Sequence, residues 1–176
     1  MASTIQVDKI QDTGGNTILQ SDGSGTATTT LPVGFGGTGV TARYGFSVYL
    51  SGEQTISATT LTTVPFDTER FDLEGNFDTT TYTFTAPIAG KYLLAANMEV
   101  INAEGNTGGH YVRVDITTSN KTYQSRAGVD LAYAINNQSV VADMDASDTA
   151  IVKVISTGDS SYNIGVASGF FGWYLG

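Results

Sequence analysis

The chain has 176 residues, 40% of them hydrophobic and 14% charged, with no cysteine and a net charge of −9. That length suits one domain with a core plus a short appendage, and is too little for two ordinary domains. Its eight scattered Lys and Arg are too few to neutralise a run of phosphates, which argues against nucleic-acid and anionic-membrane partners, and the missing cysteines exclude disulfides and thiolate metal sites.

Residues 1–45 open with "MASTIQVDKI", which lacks the basic segment and apolar core of a secretory leader, so assembly in a cytoplasm is expected. No stretch of the chain approaches the roughly 18 consecutive apolar residues of a membrane span. The segment spreads Ile5, Val7, Ile10, Ile18, Leu19, Leu31 and Val33 among Gly, Asp, Asn and Thr, too sparsely to close a core alone. It reads either as a flexible linker or as short strands ordered by copies of itself or by a larger assembly, with Ile5, Val7 and Ile10 as anchoring candidates.

From Phe46 onward, period-two alternation replaces this sparse pattern, and no stretch repeats apolar residues at helical spacing for three turns. The strands expected in chain order are "GFSVYLS", "TLTTVPFD", "TTYTFTAP", "GKYLLAANMEV", "HYVRVDITT", "KTYQSRAGV", "QSVVADMD", "TAIVKVIS", "YNIGVAS" and "GFFGWYLG". Turn residues such as "EGN", "AEGNTGG", "NNQ" and "TGDSS" separate them. Ten short strands without a crossover helix predict an all-β sandwich or jelly roll over residues 46–176.

Two of these strands are apolar on both faces. In "GKYLLAANMEV", Tyr92, Leu94, Ala96, Met98 and Val100 share one face, while Leu93 and Ala95 begin the other before it turns polar at Asn97 and Glu99. In "GFFGWYLG", Phe171, Trp173 and Leu175 share one face and Phe170 and Tyr174 the other. Leaving either aromatic face in water would forgo roughly 25 cal/mol per Å2. A sandwich covers only the inner face, so the outer one calls either for a loop laid over it or for another molecule, most simply a symmetric copy. Phe84, Tyr92, Leu94, Phe170, Phe171, Trp173 and Tyr174 are the candidates for the core and for an interface between copies.

Signals for chemistry are sparse. His110 is the single histidine and reads as a strand-edge or turn residue. Asp143, Asp145 and Asp148, and separately Asp67, Glu69, Asp72 and Glu74, could offer oxygens to Ca2+, but neither group has the spacing of a calcium loop and both read as solvated turn carboxylates. No nucleophile elbow, phosphate loop or zinc spacing is present, so neither an enzyme nor a resident cofactor or metal is expected. The stretches "NAEGNTGGH", "TTSNKTYQSRAG" and "STGDSSYN" read as exposed loops, where Tyr123, Arg126 and Tyr162 could contact a glycan or protein.

Five elements in order resemble the globular head of complement component 1q and its relatives in the tumour necrosis factor superfamily. They are Pro65, Phe66 and Asp67; Asn76, Phe77 and Asp78; Tyr82, Phe84, Pro87, Gly90 and Tyr92; Asp148; and Phe171, Gly172 and Leu175. The resemblance covers about residues 46–176 and implies a ten-strand jelly roll that assembles as a homotrimer, with inner-sheet aromatics around the three-fold axis. It does not extend to a collagen repeat, which is absent upstream. A second resemblance, carried by "KIQDTGGNTILQSDGSG" and "LPVGFGGTGVTA", is to tail-fibre and other structural proteins of bacteriophages, particularly those of marine cyanobacteria.

Together these resemblances imply a virion protein assembled in its host's cytoplasm. Residues 1–45 would join other virion proteins as an anchor or stalk, and residues 46–176 would form a trimeric head that binds a host-surface glycan or protein. Tail fibre is the first placement and a capsid-attached head fibre or decoration the second. A bacterial lectin-like module and a polysaccharide-degrading spike are the rivals.

Overall fold

The computed structural model describes residues 9–11, 13–14, 17–20, 44–101, 111–128, 133–157 and 161–176. The chain divides into two units, Met1–Ala42 and Arg43–Gly176. In the first, β1 (Lys9–Gln11) pairs antiparallel with β2 (Thr17–Gln20), Ile10 standing opposite Leu19. Ile10 is 43% exposed, while Ile5 and Val7 lie outside the described residues.

The second unit is all-β, with two antiparallel sheets packed face to face. One sheet runs β11 (Thr122–Gly128), β10 (Tyr111–Thr118), β13 (Thr149–Ser156), β8 (Thr83–Thr85), β7 (Phe77–Asp78), and the two-residue β5 (Thr62–Thr63) adds to β13. The other runs β12 (Tyr133–Met144), β9 (Gly90–Ile101), β15 (Gly169–Tyr174), β3 (Gly45–Tyr49), β6 (Thr68–Leu73), and β14 (Tyr162–Ile164) with β4 (Gln54–Ile56) continues it beyond the end of β15. Six described strands in one layer and seven in the other, three more than the ten the sequence predicts because β4, β6 and β7 add to them, make a jelly-roll sandwich.

Alternation builds the core between the layers. On β10 Val112, Val114 and Ile116 are buried, and on β13 Ala150, Val152 and Val154 meet them from the same sheet. From the opposite sheet β9 sends in Tyr92, Leu94, Ala96, Met98 and Val100, the face its period-two pattern marks as apolar. An aromatic cluster closes one end, with the Phe46 ring stacked 4.6 Å from Phe84 and 5.2 Å from Phe77, and edge-on to Phe170 at 5.0 Å. Gly172 sits where a Cβ would strike the Phe46 ring and Leu94, so the absence of a side chain there is a packing requirement.

The strand boundaries depart from expectation in three places. "DTERFDLE" forms β6, an edge strand on which Phe71 and Leu73 alternate, and does not form a cluster of turn carboxylates. The tripeptide "NNQ" lies within β12, whose twelve residues pair continuously with β9. Asn136 can occupy a buried strand position because it accepts a hydrogen bond from Ser125 Oγ and its amide donates to the Val112 carbonyl at 3.3 Å. Thirdly, of the two readings of "TTSNKTYQSRAG" the strand "KTYQSRAGV" holds and the exposed loop does not: the stretch is the end of β10, a tight turn and β11, so Tyr123 and Arg126 stand on a strand.

Candidate functional site

The outer face of the β12–β9–β15–β3–β6 sheet gathers six of the exposed large hydrophobic side chains among the described residues, Phe71, Tyr133, Ile135, Val141, Phe171 and Trp173. Register places Leu73, Gly45, Trp173, Leu93 and Val141 in one row across the five strands. The adjacent row is Phe71, Ser47, Phe171, Ala95 and Ser139. Trp173 and Phe171 are 40% and 43% exposed, and Val141 and Phe71 are 54% and 43% exposed. Trp173 lies flat across β3 because Gly45 has no Cβ to lift its ring.

Polar groups border this apolar centre. Asn97 and Asn137 follow in register, and beyond them Glu99 accepts a hydrogen bond from the Tyr133 hydroxyl at 2.8 Å and one from the Ala167 amide at 3.3 Å. The bond to Glu99 raises the Tyr133 pKa above its ordinary value. A notch of about 250 Å3, floored by Ala95 and Ser139 and edged by Asn97, Asn137 and Phe171, breaks the surface. Small residues flanked by a large aromatic make a relief that another protein surface can interlock with.

The seven core and interface candidates divide between the two sides of this sheet. Phe84, Tyr92, Leu94 and Phe170 are buried between the layers. Tyr174 is half-buried against them, its ring 5.2 Å from that of Tyr92. Tyr92 is thus the inward residue and Leu93 the outward one; its hydroxyl donates to the Ile88 carbonyl at 2.8 Å, and burial raises its pKa. Phe171 and Trp173 alone of the seven belong to the exposed face. Val141, Ile135 and Phe71 join them on this face beyond the expected residues; "YAINNQSVVAD" carries the alternation once its central amides are allowed to be strand residues.

The three recognition candidates have different fates. Tyr162 is 2% exposed on β14 and belongs to the core, so it is no loop contact; burial raises its phenol pKa, and the Ser156 backbone opposes that only in part. Tyr123 is half-buried at the sheet edge with the Lys121 ammonium 5.1 Å from its ring centroid. Beside it, an open groove of about 510 Å3 between the edges of β11 and β12 is lined by Lys121, Tyr123, Gln124, Gln138 and Val140. Arg126 is exposed on the outer face of β11, over the Tyr111 ring at 4.9 Å.

His110 and the "NAEGNTGGH" stretch lie outside the described residues. The carboxylates weighed for Ca2+ do not converge. Asp148 accepts bonds from the Asp145 amide and Asn120, Asp143 pairs with Lys91 at 3.7 Å, and Asp67 accepts the Ser51 amide and hydroxyl. Among the described residues, no three acidic or histidine side chains form a metal-binding group, and no helix is long and apolar enough to cross a membrane.

Comparison with curated proteins finds no match by sequence. The fold is nevertheless shared with solved structures. The globular domain of zebrafish complement 1qA aligns with a TM-score of 0.56 at 16% identity, covering 76% of this chain and 98% of that one. Vertex protein P5 of phage PRD1 aligns at 0.58 with 14% identity, over 78% of this chain and 100% of that one. Eiger, a tumour necrosis factor from S. frugiperda, aligns at 0.55 with 10% identity, over 77% and 94%. The family model for the C1q domain matches residues 45–175, the span from the first strand of the sandwich to its last, and the chain belongs to that family.

Proposed function

We propose that three copies of this chain pack through the outer β12–β9–β15–β3–β6 face into a trimer, and that this trimer is a bacteriophage virion component that binds the host surface. The observation that carries the assembly is the apolar face itself. Its two register rows expose Trp173, Phe171, Val141 and Phe71 together, and a monomer would leave all four in water. Assembly as a trimer is typical of C1q-like domains, and a three-fold contact joins unlike surfaces of neighbouring copies. The β11–β12 edge, with its groove at Tyr123 and Val140, offers the second surface.

Support for a virion comes from the likeness to the PRD1 vertex protein, which extends over the whole of that chain. It favours a capsid-vertex placement as a second reading beside the tail fibre. Residues 1–45 serve as the joint to other virion proteins, through Ile10 and the neighbouring Ile5 and Val7. The head's role is binding and assembly, without a reaction, and its three copies turn weak single contacts into avidity. Equilibrium sedimentation tests the assembly: a trimer at micromolar concentration is expected, and a stable monomer would refute it. Gold-labelled antibody against the head, imaged on virions, tests location: label at the tail or at capsid vertices supports one placement each, and unlabelled particles refute both.

A further inference from the structure

The outer face of the other sheet carries a compact cationic site in an acidic chain. Three register rows define it. Arg126 on β11 stands directly opposite Arg113 on β10. Asp115, two residues along, lies between Gln124 and Lys153. Tyr111, two residues the other way, closes the site. Like charges directly opposite each other on a sheet are destabilising, so a cross-strand Arg pair in a chain with only eight Lys and Arg calls for an explanation.

Both guanidinium groups are held in place. Arg113 donates one terminal N–H to Asp115 Oδ2 at 3.0 Å, and its Nε lies in ion-pair contact with Oδ1 at 2.9 Å. Asp115 is 1% exposed although its position in the alternation faces outward, so it serves as a covered foundation and not as a competing surface charge. Arg126 rests on the Tyr111 ring at 4.9 Å. Among the described residues, register thus gathers three cationic residues around one carboxylate, which is already engaged. Arg side chains fixed by their own neighbours lose little entropy on meeting a planar anion and can bind it through two parallel hydrogen bonds.

We infer that Arg126, Arg113 and Lys153 form a binding site for the carboxylate groups of an acidic polysaccharide, presented once per copy. The inference rests on the trimer reading, because packing of the β9–β15 face against the β11–β12 edge at Tyr123 and Val140 leaves the outward face at Arg126, Arg113 and Lys153 free. A nucleic acid is disfavoured, since it needs many phosphates neutralised at once. A polysaccharide with one carboxylate per repeat needs a single small site, and three such sites bind one chain or surface with avidity.

Retention of the full chain on immobilised polygalacturonate, with neutral dextran as the comparison, tests the site. The unmodified chain should be retained on polygalacturonate, released as salt rises, and pass through dextran. Arg126→Ala should weaken retention about tenfold, and Arg126→Glu, which can pair with Arg113 and so preserve the fold, should abolish it. Lys91→Ala, which removes a cation from the other sheet, should change nothing. Equal retention of the unmodified chain and R126E, or no preference for polygalacturonate over dextran, would overturn the proposal. Adsorption to host cells that is indifferent to R126E would overturn the acidic-glycan site and leave host binding standing. Retention on polygalacturonate without adsorption to any cell would do the reverse.

Discussion

Phe170 and Phe171 are neighbours on β15, and they face opposite sides of one sheet: Phe170 is 1% exposed and packs edge-on to Phe46, while Phe171 is 43% exposed beside Ala95. Two adjacent phenylalanines of the same chemistry therefore serve two kinds of stability. Phe170→Ala empties part of the core and should cost about 3–5 kcal/mol of unfolding free energy in a denaturant titration. Phe171→Asp should leave the monomer folded by circular dichroism and shift sedimentation from trimer to monomer. A Phe171→Asp variant that stays trimeric would remove that face from the interface.

Trp173 is the chain's single tryptophan and lies across Gly45 on the same exposed face, so its fluorescence reports on that face directly. Dilution of the trimer should shift its emission to the red as the ring becomes exposed to water. Gly45→Ala should lift the ring, alter the emission and weaken assembly with little change to the core, because the atoms nearest its new methyl all belong to the indole.

Gly172 provides the matching test on the inner side. A side chain there meets the Phe46 ring and Leu94, both fully buried. Gly172→Val should therefore destabilise the fold by about 1–3 kcal/mol through overpacking, read as a lower denaturation midpoint with a similar slope.

Asn136 is 4% exposed and joins the two sheets through Ser125 on β11 and the Val112 carbonyl on β10. Asn136→Ala removes both of these buried bonds between the sheets and should cost about 1–3 kcal/mol. Adding Ser125→Ala should cost less than the sum of the two single changes, since they remove one shared bond.

Asp78 accepts bonds from the amide and hydroxyl of Thr80 and from Thr81, and these hold its pKa at about 2, below the ordinary 3.8. A carboxylate with a depressed pKa in the folded state stabilises that state above its unfolded pKa and stops doing so as pH falls through the folded value. The difference in melting temperature between the unmodified chain and Asp78→Ala should be constant above about pH 5 and shrink toward pH 2. A difference that grows on acidification would show that another group carries it.

Much of the fold was legible in the residues because it depends on local alternation. Period two, the scarcity of helical patterns and the Gly-marked turns determined an all-β sandwich, and the faces of "GKYLLAANMEV" and "GFFGWYLG" were assigned correctly down to the opposition of Phe170 and Phe171. Where polar residues are buried, the local signal misleads: Asn136 looks like a turn residue until Ser125 and the Val112 carbonyl are beside it. Tyr162 likewise looks like a loop contact until β4 and β9 flank it. Only the tertiary structure decided which residues from distant strands share a surface. Residues 45, 93, 141 and 173 become one row, and Arg113 and Arg126 one pair, through sheet register. Register is set by hydrogen bonds between strands and by packing across the whole sandwich, neither of which any short stretch of sequence contains.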